Sequence, residues 1–510
     1  MTDAQSNKSS LVGRILDLVE RGGNLLPHPF WLFLWLIVLV GGISGVLASM
    51  GIEVADREGV VQPIVSAFSA DGLRWFVLHM VENFGHFEPL GLVLVMLMGV
   101  AVAEGAGLIE AVMRGVALSV PPRFIAPVLF ILGACGNIGS DAGVVVIPPL
   151  AAAIYKQLGR NPITGLLIGY VGATAGFTAN LLPSGTDVLA MSLTNAATGG
   201  EPEVNVLANW YFMAVSVFFL ATLGTLATKW FVEPRLPQVA SSDEKLESLG
   251  ERERRAMRKA MFAILVGSGI WLLTLLVPGG PLRHPDPDPA LFWRSPFFRG
   301  LVPILFSLFV LGGVVYGRAV GTVKKADDVL EFMGDAMKRM GPYIVLVLAI
   351  AQFTEIFQFT RIDRLIAVEG ARGLKSIGFE SFPLAFFLAF ILIVATANVF
   401  MGSASAKWAI FAPIFAPMFI SLGYHPGFTQ LLYRIGDSVT NCVSPLYPYF
   451  PLLLGWIAQY DKSRAKVGTV LSYLLPYAFV LLIGWTVMLG LWYLLGLPVG
   501  PDTPIMIPTN

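Results

Sequence analysis

Charge and cysteine are both scarce in this chain, and each shortage excludes a class of protein. Charged residues make up only 13% of the 510 residues, while hydrophobic residues make up 55% and mean hydropathy is +0.71. Soluble domains carry about 25% charged residues. One large soluble core is therefore excluded, and a polytopic membrane protein is predicted. Because Lys and Arg equal Asp and Glu in number, nothing in the charge balance indicates nucleic acid as a partner.

Cysteine is rare in the sequence, and several common catalytic and nucleotide-binding motifs are absent from it. The two cysteines, Cys135 and Cys442, lie far apart in apolar sequence, so neither a disulfide framework nor a Cys-based metal site is expected. The sequence lacks G-x-x-x-x-G-K-[ST], which disfavours transport driven by ATP. It also lacks H-E-x-x-H, which excludes that class of zinc hydrolase. No cleavable signal peptide is expected, because no short apolar core precedes a small-residue cleavage site.

Long apolar runs separated by charged loops predict an all-α fold with nine membrane spans. Two spans, 162–197 and 428–459, are interrupted by Pro, Gly and polar residues, which is typical of broken helices. The other seven are continuous: 29–50, 89–111, 207–232, 261–277, 298–316, 341–357 and 467–495.

Two further apolar segments predict re-entrant helical hairpins. The first, 124–155, is interrupted by small and polar residues at 133–143, and the second, 382–421, is interrupted at 395–407. Each apolar limb has about 10 to 14 residues, whereas a helix needs about 20 to cross the hydrocarbon core. Backbone that leaves a helix at membrane depth must be buried in protein or line a wet cavity. We therefore expect both tips to contribute to a binding site.

The order span, hairpin, broken span, span occurs at 89–231, within a first half that extends over 29–231, and again in a second half at 341–495. Flanking Lys and Arg residues predict opposite orientations for the two copies. An inverted repeat of this kind places its site near mid-membrane, where the broken helices meet. The two spans in 260–317 stand outside the repeat, and with 29–50 they are expected to form a scaffold or dimer interface.

The same charge distribution predicts which segments face the cytoplasm. Residues 1–28, interpreted as a short amphipathic helix, and the charged linker 232–259 are cytoplasmic by the positive-inside rule. The tail 496–510 is then external.

Five charged residues in the interrupted segments are candidates for function, because charge inside a membrane is costly and usually faces a pathway. Asp187 and Asp437 are interpreted as occupying matching places after the two breaks, and one of them is expected to respond to protons. Arg434 either pairs with Asp437 one helical turn later or holds a substrate carboxylate. Lys407 either pairs with a carboxylate or snorkels. Asp141 either binds a cation or caps a helix.

Uncharged residues at the hairpin tips are candidates for binding a cation. Asn137 and Asn398 hold equivalent places in the two tips, and their amide oxygens, with nearby hydroxyls such as that of Ser405, suit Na⁺. Asn137 and Asp141 form the candidate Na⁺ site, although these residues could also simply form turns. Trp408 either stacks on an aromatic substrate or packs in the protein.

Five stretches of the sequence carry a family resemblance. They are Leu-Pro-His-Pro-Phe-Trp-Leu-Phe at 26–33, Ala-Glu-Gly-Ala-Gly-Leu-Ile at 103–109, the two hairpin tips, and Tyr-Arg-Ile-Gly-Asp-Ser-Val-Thr-Asn at 433–441. Over essentially its whole length the chain resembles the AbgT family of bacterial inner-membrane transporters. The resemblance implies a bowl-shaped homodimer with nine spans and two hairpins per protomer. It also implies secondary transport of p-aminobenzoyl-glutamate and efflux of sulfonamide antimetabolites.

The resemblance also implies roles for particular residues. Asn137 would lie near the cation site. The residues that would line the substrate route are Asp187, Asn398, Ser405, Trp408, Pro426, Arg434 and Asp437. The hypothesis is a transporter of small aromatic carboxylates or sulfonamides, coupled to a Na⁺ or H⁺ gradient and without an organic cofactor.

Three alternatives remain open from the sequence. An intramembrane hydrolase could use Asp187 and Asp437 as an aspartyl dyad. Against it, the G-x-G-D pattern of membrane aspartyl proteases would need Gly at position 434, where this chain has Arg. A channel suits paired hairpins in an inverted repeat less well than alternating access does. An uptake transporter of the Na⁺/dicarboxylate type would use the same site in the opposite direction.

Overall fold

The computed structural model describes residues 29–55, 61–137, 142–239, 249–286, 289–378, 381–401, 403–445 and 447–508. The predicted amphipathic segment 1–28 and the candidate ligand Asp141 lie outside the described residues. Within them the chain is mostly helical, and strands occur only as one short hairpin.

The first half consists of nine helices and that hairpin. In chain order they are α1 (Pro29–Ser49), β1 (Glu53–Ala55), β2 (Val61–Pro63), α2 (Ala70–Gly85), α3 (Glu88–Gly105), α4 (Leu108–Leu118), α5 (Ile125–Gly136), α6 (Ala142–Gln157), α7 (Pro162–Ala175), α8 (Gly185–Thr198) and α9 (Trp210–Ala227). The segment 51–88, between the first two predicted spans, therefore contains the hairpin and α2.

Among the described residues, the remainder of the chain contributes eleven more α-helices. They are α10 (Glu251–Leu276), α11 (Pro296–Arg299), α12 (Leu301–Val320), α13 (Ala326–Arg339), α14 (Gly341–Phe359), α15 (Ile362–Ser376), α16 (Pro383–Phe400), α17 (Ala404–Ser421), α18 (Pro426–Val439), α19 (Phe450–Tyr460) and α20 (Val467–Leu494). The charged end of the segment 232–259 is helical from Glu251 onward and continuous with the apolar span that follows it.

Nine helices of the described residues are long and apolar enough to cross a membrane, which confirms the all-α polytopic class. Seven of them correspond to the continuous spans predicted from the sequence. The other two are α16 and α17, the limbs of the second hairpin, with 18 residues each. The prediction that both of these limbs are too short to span is therefore wrong.

The second hairpin is longer than its hydropathy suggests because its small and polar residues stay helical. Asn398 lies inside α16, and its amide bonds to neighbouring helix α18. Ser403 caps α17 by accepting a hydrogen bond from the N–H of Ala406. By contrast, the limbs of the first hairpin are short, with 12 residues in α5 and 16 in α6.

The two hairpins pack in the same way on the broken helices that follow them. A Cβ placed on Gly172 of α7 would lie 2.8 Å from the carbonyl oxygen of Phe130 in α5. A Cβ placed on Gly436 of α18 would lie 2.6 Å from the carbonyl oxygen of Ile391 in α16. In each half, glycine allows the first limb of the hairpin to approach the broken helix backbone to backbone.

The two broken helices cross each other in opposite directions at their breaks. Asn441, after α18, donates from Nδ2 to the carbonyl oxygen of Thr174 at 3.2 Å. Thr178, after α7, bonds the hydroxyl of Ser438 at 2.7 Å. Residue numbers rise in one helix as they fall in the other, so the halves run antiparallel, as an inverted repeat requires. Every residue of α7 and α18 is buried, which places this crossing in the core.

The helices outside the repeat pack along the side of this core. α10 packs against α12, and α12 packs against α3, while α1 packs against α14. The chain end after α20 returns to the protein: the N–H of His425 donates to the carbonyl oxygen of Ile505 at 3.0 Å, and Asn205 donates to that of Pro501 at 2.9 Å.

Candidate substrate and ion site

Asp187 lies in the first turn of α8, directly after the break in the first broken helix. Its Oδ2 atom accepts hydrogen bonds from the backbone N–H and the hydroxyl of Ser184, both at 2.7 Å. This capping box fixes the side chain at a helix N-terminus, where the helix dipole favours negative charge. The second oxygen, Oδ1, is thereby directed toward the other half of the protein.

Arg434 of α18 binds this carboxylate across the repeat. Its Nη2 atom lies 2.7 Å from Oδ1 of Asp187 and donates to the carbonyl oxygen of Thr178 at 2.8 Å. Nη1 donates to Oδ1 of Asn209 at 3.4 Å. Nε is buried and has no partner among the described residues. The guanidinium thus bonds three acceptors with its Nη atoms and leaves its Nε–H unused, so it can donate to a further oxygen ligand.

A second buried ion pair joins the second hairpin to the same helix. Nζ of Lys407, in α17, lies 2.6 Å from Oδ1 of Asp437, and both side chains are 1% exposed. The same ammonium also donates to the amide oxygen of Asn398. The hydroxyl of Tyr433 donates to Oδ1 of Asp437 at 3.1 Å. The prediction that Lys407 pairs with a carboxylate, rather than snorkelling, is therefore the correct alternative.

The pairing of Arg434 with Asp437 within one helical turn is not formed. Each of the two residues bonds a partner from another helix: Arg434 bonds Asp187 and Asp437 bonds Lys407. Residues three apart share a helix face only approximately, and here the opposing charges of neighbouring helices lie closer. Two separate pairs hold the second broken helix against the first half and against the second hairpin.

Asp187 and Asp437 do not occupy matching places in the repeat, which corrects the sequence prediction. Asp187 follows the first break, whereas α18 continues to Val439, so that Asp437 precedes the second break. The hydrogen bonds of the hairpin asparagines give the true match. Asn137 donates to the carbonyl oxygen of Ala173, and Asn398 donates to that of Asp437, so position 437 corresponds to position 173.

The two hairpin asparagines hold their broken helices in the same way. Nδ2 of Asn137 lies 3.0 Å from the carbonyl oxygen of Ala173, and Nδ2 of Asn398 lies 2.6 Å from that of Asp437. No hydrogen bond joins the two asparagines directly in the part of the chain that the structure describes. Asn441 links them indirectly, because it accepts from Asn398 at 2.8 Å and donates to the end of α7.

Trp408 packs inside the protein in this conformation. Its ring stacks on Tyr433 with centroids 4.4 Å apart, and its side chain is almost fully buried. Nε1 donates to the hydroxyl of Thr194 at 3.0 Å and to the carbonyl oxygen of Ala190 at 3.2 Å. The face predicted to receive a substrate ring is therefore covered by Tyr433 here.

A buried polar chain connects Trp408 with Arg434, and the sequence analysis did not identify its members. The hydroxyl of Thr194 donates to Oε1 of Gln430 at 2.8 Å, and Nε2 of Gln430 donates to Oδ1 of Asn209 at 2.8 Å. Asn209 in turn accepts from Arg434. The sequence does contain a pattern that identifies Gln430. Polar residues recur every three or four positions and mark one polar face of a helix: Gln430, Arg434, Asp437 and Asn441.

Ser405 and Pro426 lie at the edges of this cluster. The hydroxyl of Ser405 is 3.1 Å from that of Ser403 in the first turn of α17. Pro426 is the first residue of α18, where its ring suits a helix start. The carbonyl oxygen of the next residue, Gly427, accepts from Nδ2 of Asn209 at 2.7 Å. Both residues lie in the first turns of the helices that carry Lys407, Arg434 and Asp437, and no hydrogen bond among the described residues joins either of them to an ion pair.

The four charged side chains are all at least nine-tenths buried, so the protein is closed around them in this conformation. Their charges cancel in pairs, which makes their burial tolerable. A ligand carboxylate that entered could replace Asp187 on Arg434 without leaving the guanidinium unpaired. The arrangement can therefore exchange an internal anion for an external one.

Asn137, which begins the first hairpin tip, offers one oxygen of a kind that a monovalent cation can bind. Oδ1 of Asn137 is buried and has no hydrogen-bond partner among the described residues. Asn137 follows the C-terminal end of α5, where the helix dipole favours positive charge. Among the described residues, no group of three or more His, Cys, Asp or Glu side chains is placed to hold a metal.

Known proteins of similar sequence and structure agree with this architecture. A family model described as the AbgT putative transporter family matches residues 14–507. The p-aminobenzoyl-glutamate transport protein of Escherichia coli (strain K12) is 39% identical over 498 residues, which cover 97% of each chain.

Two solved structures superimpose on most of the chain. The Alcanivorax borkumensis YdaH transporter has a TM-score of 0.87 and 34% identity, covering 93% of this chain and 100% of its own. Neisseria gonorrhoeae MtrF, reported to illuminate a class of antimetabolite efflux pumps, has a TM-score of 0.88 and 38% identity, covering 96% and 100%. On this match in sequence over nearly the whole chain, the chain belongs to the AbgT family.

Proposed function

We propose that this protein is a secondary active transporter of the bacterial inner membrane for p-aminobenzoyl-glutamate and p-aminobenzoic acid-like compounds, and that it exports sulfonamide antimetabolites. The observation that carries the proposal is the pair of buried ion pairs, Arg434 with Asp187 and Lys407 with Asp437, where the two broken helices cross. Intramembrane charges in such a position mark a transport pathway. The substrate class follows the names of the relatives.

Arg434 is the residue that binds an anionic substrate group. A substrate carboxylate displaces Asp187 from the planar guanidinium, which can hold two oxygens at once. Asp187, released from Arg434, becomes the carboxylate that a coupling proton can neutralise. The hydrogen bonds between Asp187 and Ser184 keep the carboxyl group at the start of α8 while the proton binds.

The aromatic ring of the substrate binds beside Trp408. Tyr433 occupies that face in the closed conformation, so the ring can stack only after Tyr433 and Trp408 separate. The polar chain of Thr194, Gln430 and Asn209 lies between this position and Arg434 and offers amide and hydroxyl groups to an amide linkage or amine.

Na⁺ or H⁺ supplies the driving force in this proposal. Asn137 holds a Na⁺ ion through its amide oxygen, which has no hydrogen-bond partner among the described residues, and Asp141 is the proposed additional ligand. The protein functions as a homodimer, with its N-terminus in the cytoplasm and its C-terminus in the periplasm.

An intramembrane hydrolase has less support from the site. An aspartyl dyad needs two carboxyl groups close enough to share one proton. Here Asp187 and Asp437 each bond a different cation, and they belong to different ion pairs. The relatives are named as transport proteins or pumps.

Flux measurements in proteoliposomes test the proposal. Purified protein is reconstituted, and radiolabelled p-aminobenzoyl-glutamate and a radiolabelled sulfonamide are followed while Na⁺ and pH gradients are imposed separately. We expect accumulation against a concentration gradient with at least one of them. Flux that ignores both gradients would reject secondary active transport, and peptide cleavage without a gradient would favour the hydrolase. The sign of the net flux separates export from a Na⁺/dicarboxylate type of uptake.

Replacing Arg434 with Lys tests the carboxylate-binding role. Lysine keeps the positive charge but cannot bond Asp187, Thr178 and Asn209 together. We expect gradient-driven flux of p-aminobenzoyl-glutamate to fall about tenfold or more, since two or more charge-assisted bonds are lost. Arg74→Ala, which removes an exposed arginine, is the control and should leave flux unchanged. Equal flux in Arg434→Lys and wild type would show that Arg434 does not bind the substrate carboxylate.

A further inference from the structure

The amide oxygens of the two hairpin asparagines have different partners, although their amide nitrogens bond equivalent carbonyl groups. Oδ1 of Asn137 has no partner among the described residues. Oδ1 of Asn398 accepts from the ammonium of Lys407. The two halves of the repeat therefore share one asparagine geometry but differ in what satisfies the oxygen.

Two differences in sequence between the halves accompany this contrast. Lys407 lies nine residues after Asn398, and the ninth residue after Asn137 is Val146. Asp437 matches Ala173, because both carbonyl groups accept from the hairpin asparagine. The first half has apolar residues at both positions where the second half has an ion pair.

The ammonium of Lys407 sits among oxygen atoms of the kind that bind alkali cations. Nζ lies 2.6 Å from Oδ1 of Asp437 and bonds the amide oxygen of Asn398, and the lysine is 1% exposed. The hydroxyl of Thr440 and the amide oxygen of Asn441 lie next to this position, bonded to Nδ2 of Asn398. A carboxylate and neutral oxygens in a dry environment are suitable ligands for Na⁺, and here they surround the Lys407 ammonium instead.

We propose that Lys407 is a built-in cation: its ammonium fills a cation position at the second hairpin that would otherwise bind free Na⁺, and confines free-ion binding to the first hairpin. The inference rests on the proposed function, because it concerns the ion that drives transport. It predicts that this transporter binds one fewer Na⁺ per protomer than its repeat geometry would allow. Lys407 is then a determinant of ion stoichiometry and not of substrate affinity.

Equilibrium binding of radiolabelled Na⁺ to the purified full-length protein tests this inference. Lys407→Ala should bind one more Na⁺ per protomer than wild type, because Asp437 and Asn398 are left to a free ion. Its Tm should rise with NaCl, compared with equimolar choline chloride, by more than the Tm of wild type does. Lys338→Ala removes an exposed lysine and should show no such gain. Unchanged Na⁺ binding in Lys407→Ala would overturn the inference.

A second variant localises the new ion. Adding Asn398→Ala to Lys407→Ala should remove both the extra bound Na⁺ and the extra Tm shift, and persistence of either would place the ion elsewhere and overturn the inference. If alanine prevents folding, Lys407→Ser provides the same measurement with a hydroxyl in the vacated space. These binding readouts need no substrate flux. A protein that gains Na⁺ binding but drives no flux would contradict the proposed function alone.

Discussion

Buried charge is the feature of single residues that most constrains this protein. Arg434 and Lys407 are each held by one carboxylate in surroundings that exclude water. Taking an ion pair out of water is expensive, and removing only one partner is worse than removing both. The site is thus stable only while each cation keeps an anion, whether from the protein or from a ligand.

Asp187→Asn should destabilise the protein far more than loss of an exposed pair does. The substitution leaves Arg434 buried without a countercharge, which costs about 3 kcal/mol or more. Glu203→Gln is the control, because Glu203 pairs with Arg299 on an exposed surface at 2.6 Å and such pairs contribute at most about 1 kcal/mol. Thermal unfolding in detergent compares the two. Equal loss of Tm would mean that Asp187 and Arg434 are not coupled in the folded protein.

Sequence reasoning found the charged residues of the site but not their pairing. Arg434 and Asp437 are one turn apart, and local spacing favoured a bond between them. The observed partners, Asp187 and Lys407, come from helices α8 and α17, and their approach depends on tertiary packing that spacing does not encode. Asn209 was missed for the same reason, since it stands at the start of an ordinary apolar span.

Helices and hairpins were predictable where hydropathy alone decides their length. The single break between α7 and α8 lies where Pro183 interrupts the apolar sequence, and Gly185 begins the helix that follows it. Hydropathy underestimates the length of the limbs of the second hairpin, because it predicts that small polar residues are not helical. Those residues remain helical since partners on α18, such as the carbonyl oxygen of Asp437, bond their side chains. Hydropathy contains no information about hydrogen-bond partners that another helix supplies.

Gly172→Ala should weaken the packing of the first hairpin on its broken helix. The added Cβ would approach the carbonyl oxygen of Phe130 to 2.8 Å, so that the backbones must separate. We expect a loss of about 1–3 kcal/mol, as for other overpacked cores, seen as a lower Tm. Gly490→Ala, in α20, is the control because its Cβ meets nothing within 4 Å. It should be neutral or stabilising by up to about 1 kcal/mol. A Tm for Gly172→Ala as high as that of the control would show that the close approach is unimportant.

At the scale of the whole molecule, the repeated order of spans and hairpins could be predicted without homologous sequences. Apolar run length and the positions of Lys and Arg were enough for it. The antiparallel crossing of α7 and α18 supports the opposite orientation of the halves. The return of the chain end to the protein could not be predicted, because residues 496–508 have no apolar run or periodic pattern.

Deleting residues 497–510 should loosen the start of α18. The chain end bonds His425 through Ile505 and Asn205 through Pro501, so it joins the loops that precede α18 and α9. We expect a lower Tm and reduced flux, because Pro426 and Asn209 lose their support. Asn205→Ala removes one of these bonds and should cost only about 1 kcal/mol. A truncated protein with the Tm and flux of wild type would show that the chain end is dispensable.

The crossing of the two broken helices has a consequence for leakage. Polar groups at each break are satisfied by the opposite half: Asn441 bonds Thr174, and Ser438 bonds Thr178. Withdrawing one break from the crossing therefore removes hydrogen-bond partners from the other, in a setting where unmet polar groups are expensive. In a conformation with both breaks withdrawn at once, the polar groups of both breaks would lack hydrogen-bond partners, and no new contact would offset that free-energy cost. The same contacts that assemble the site thus oppose an open path through the membrane.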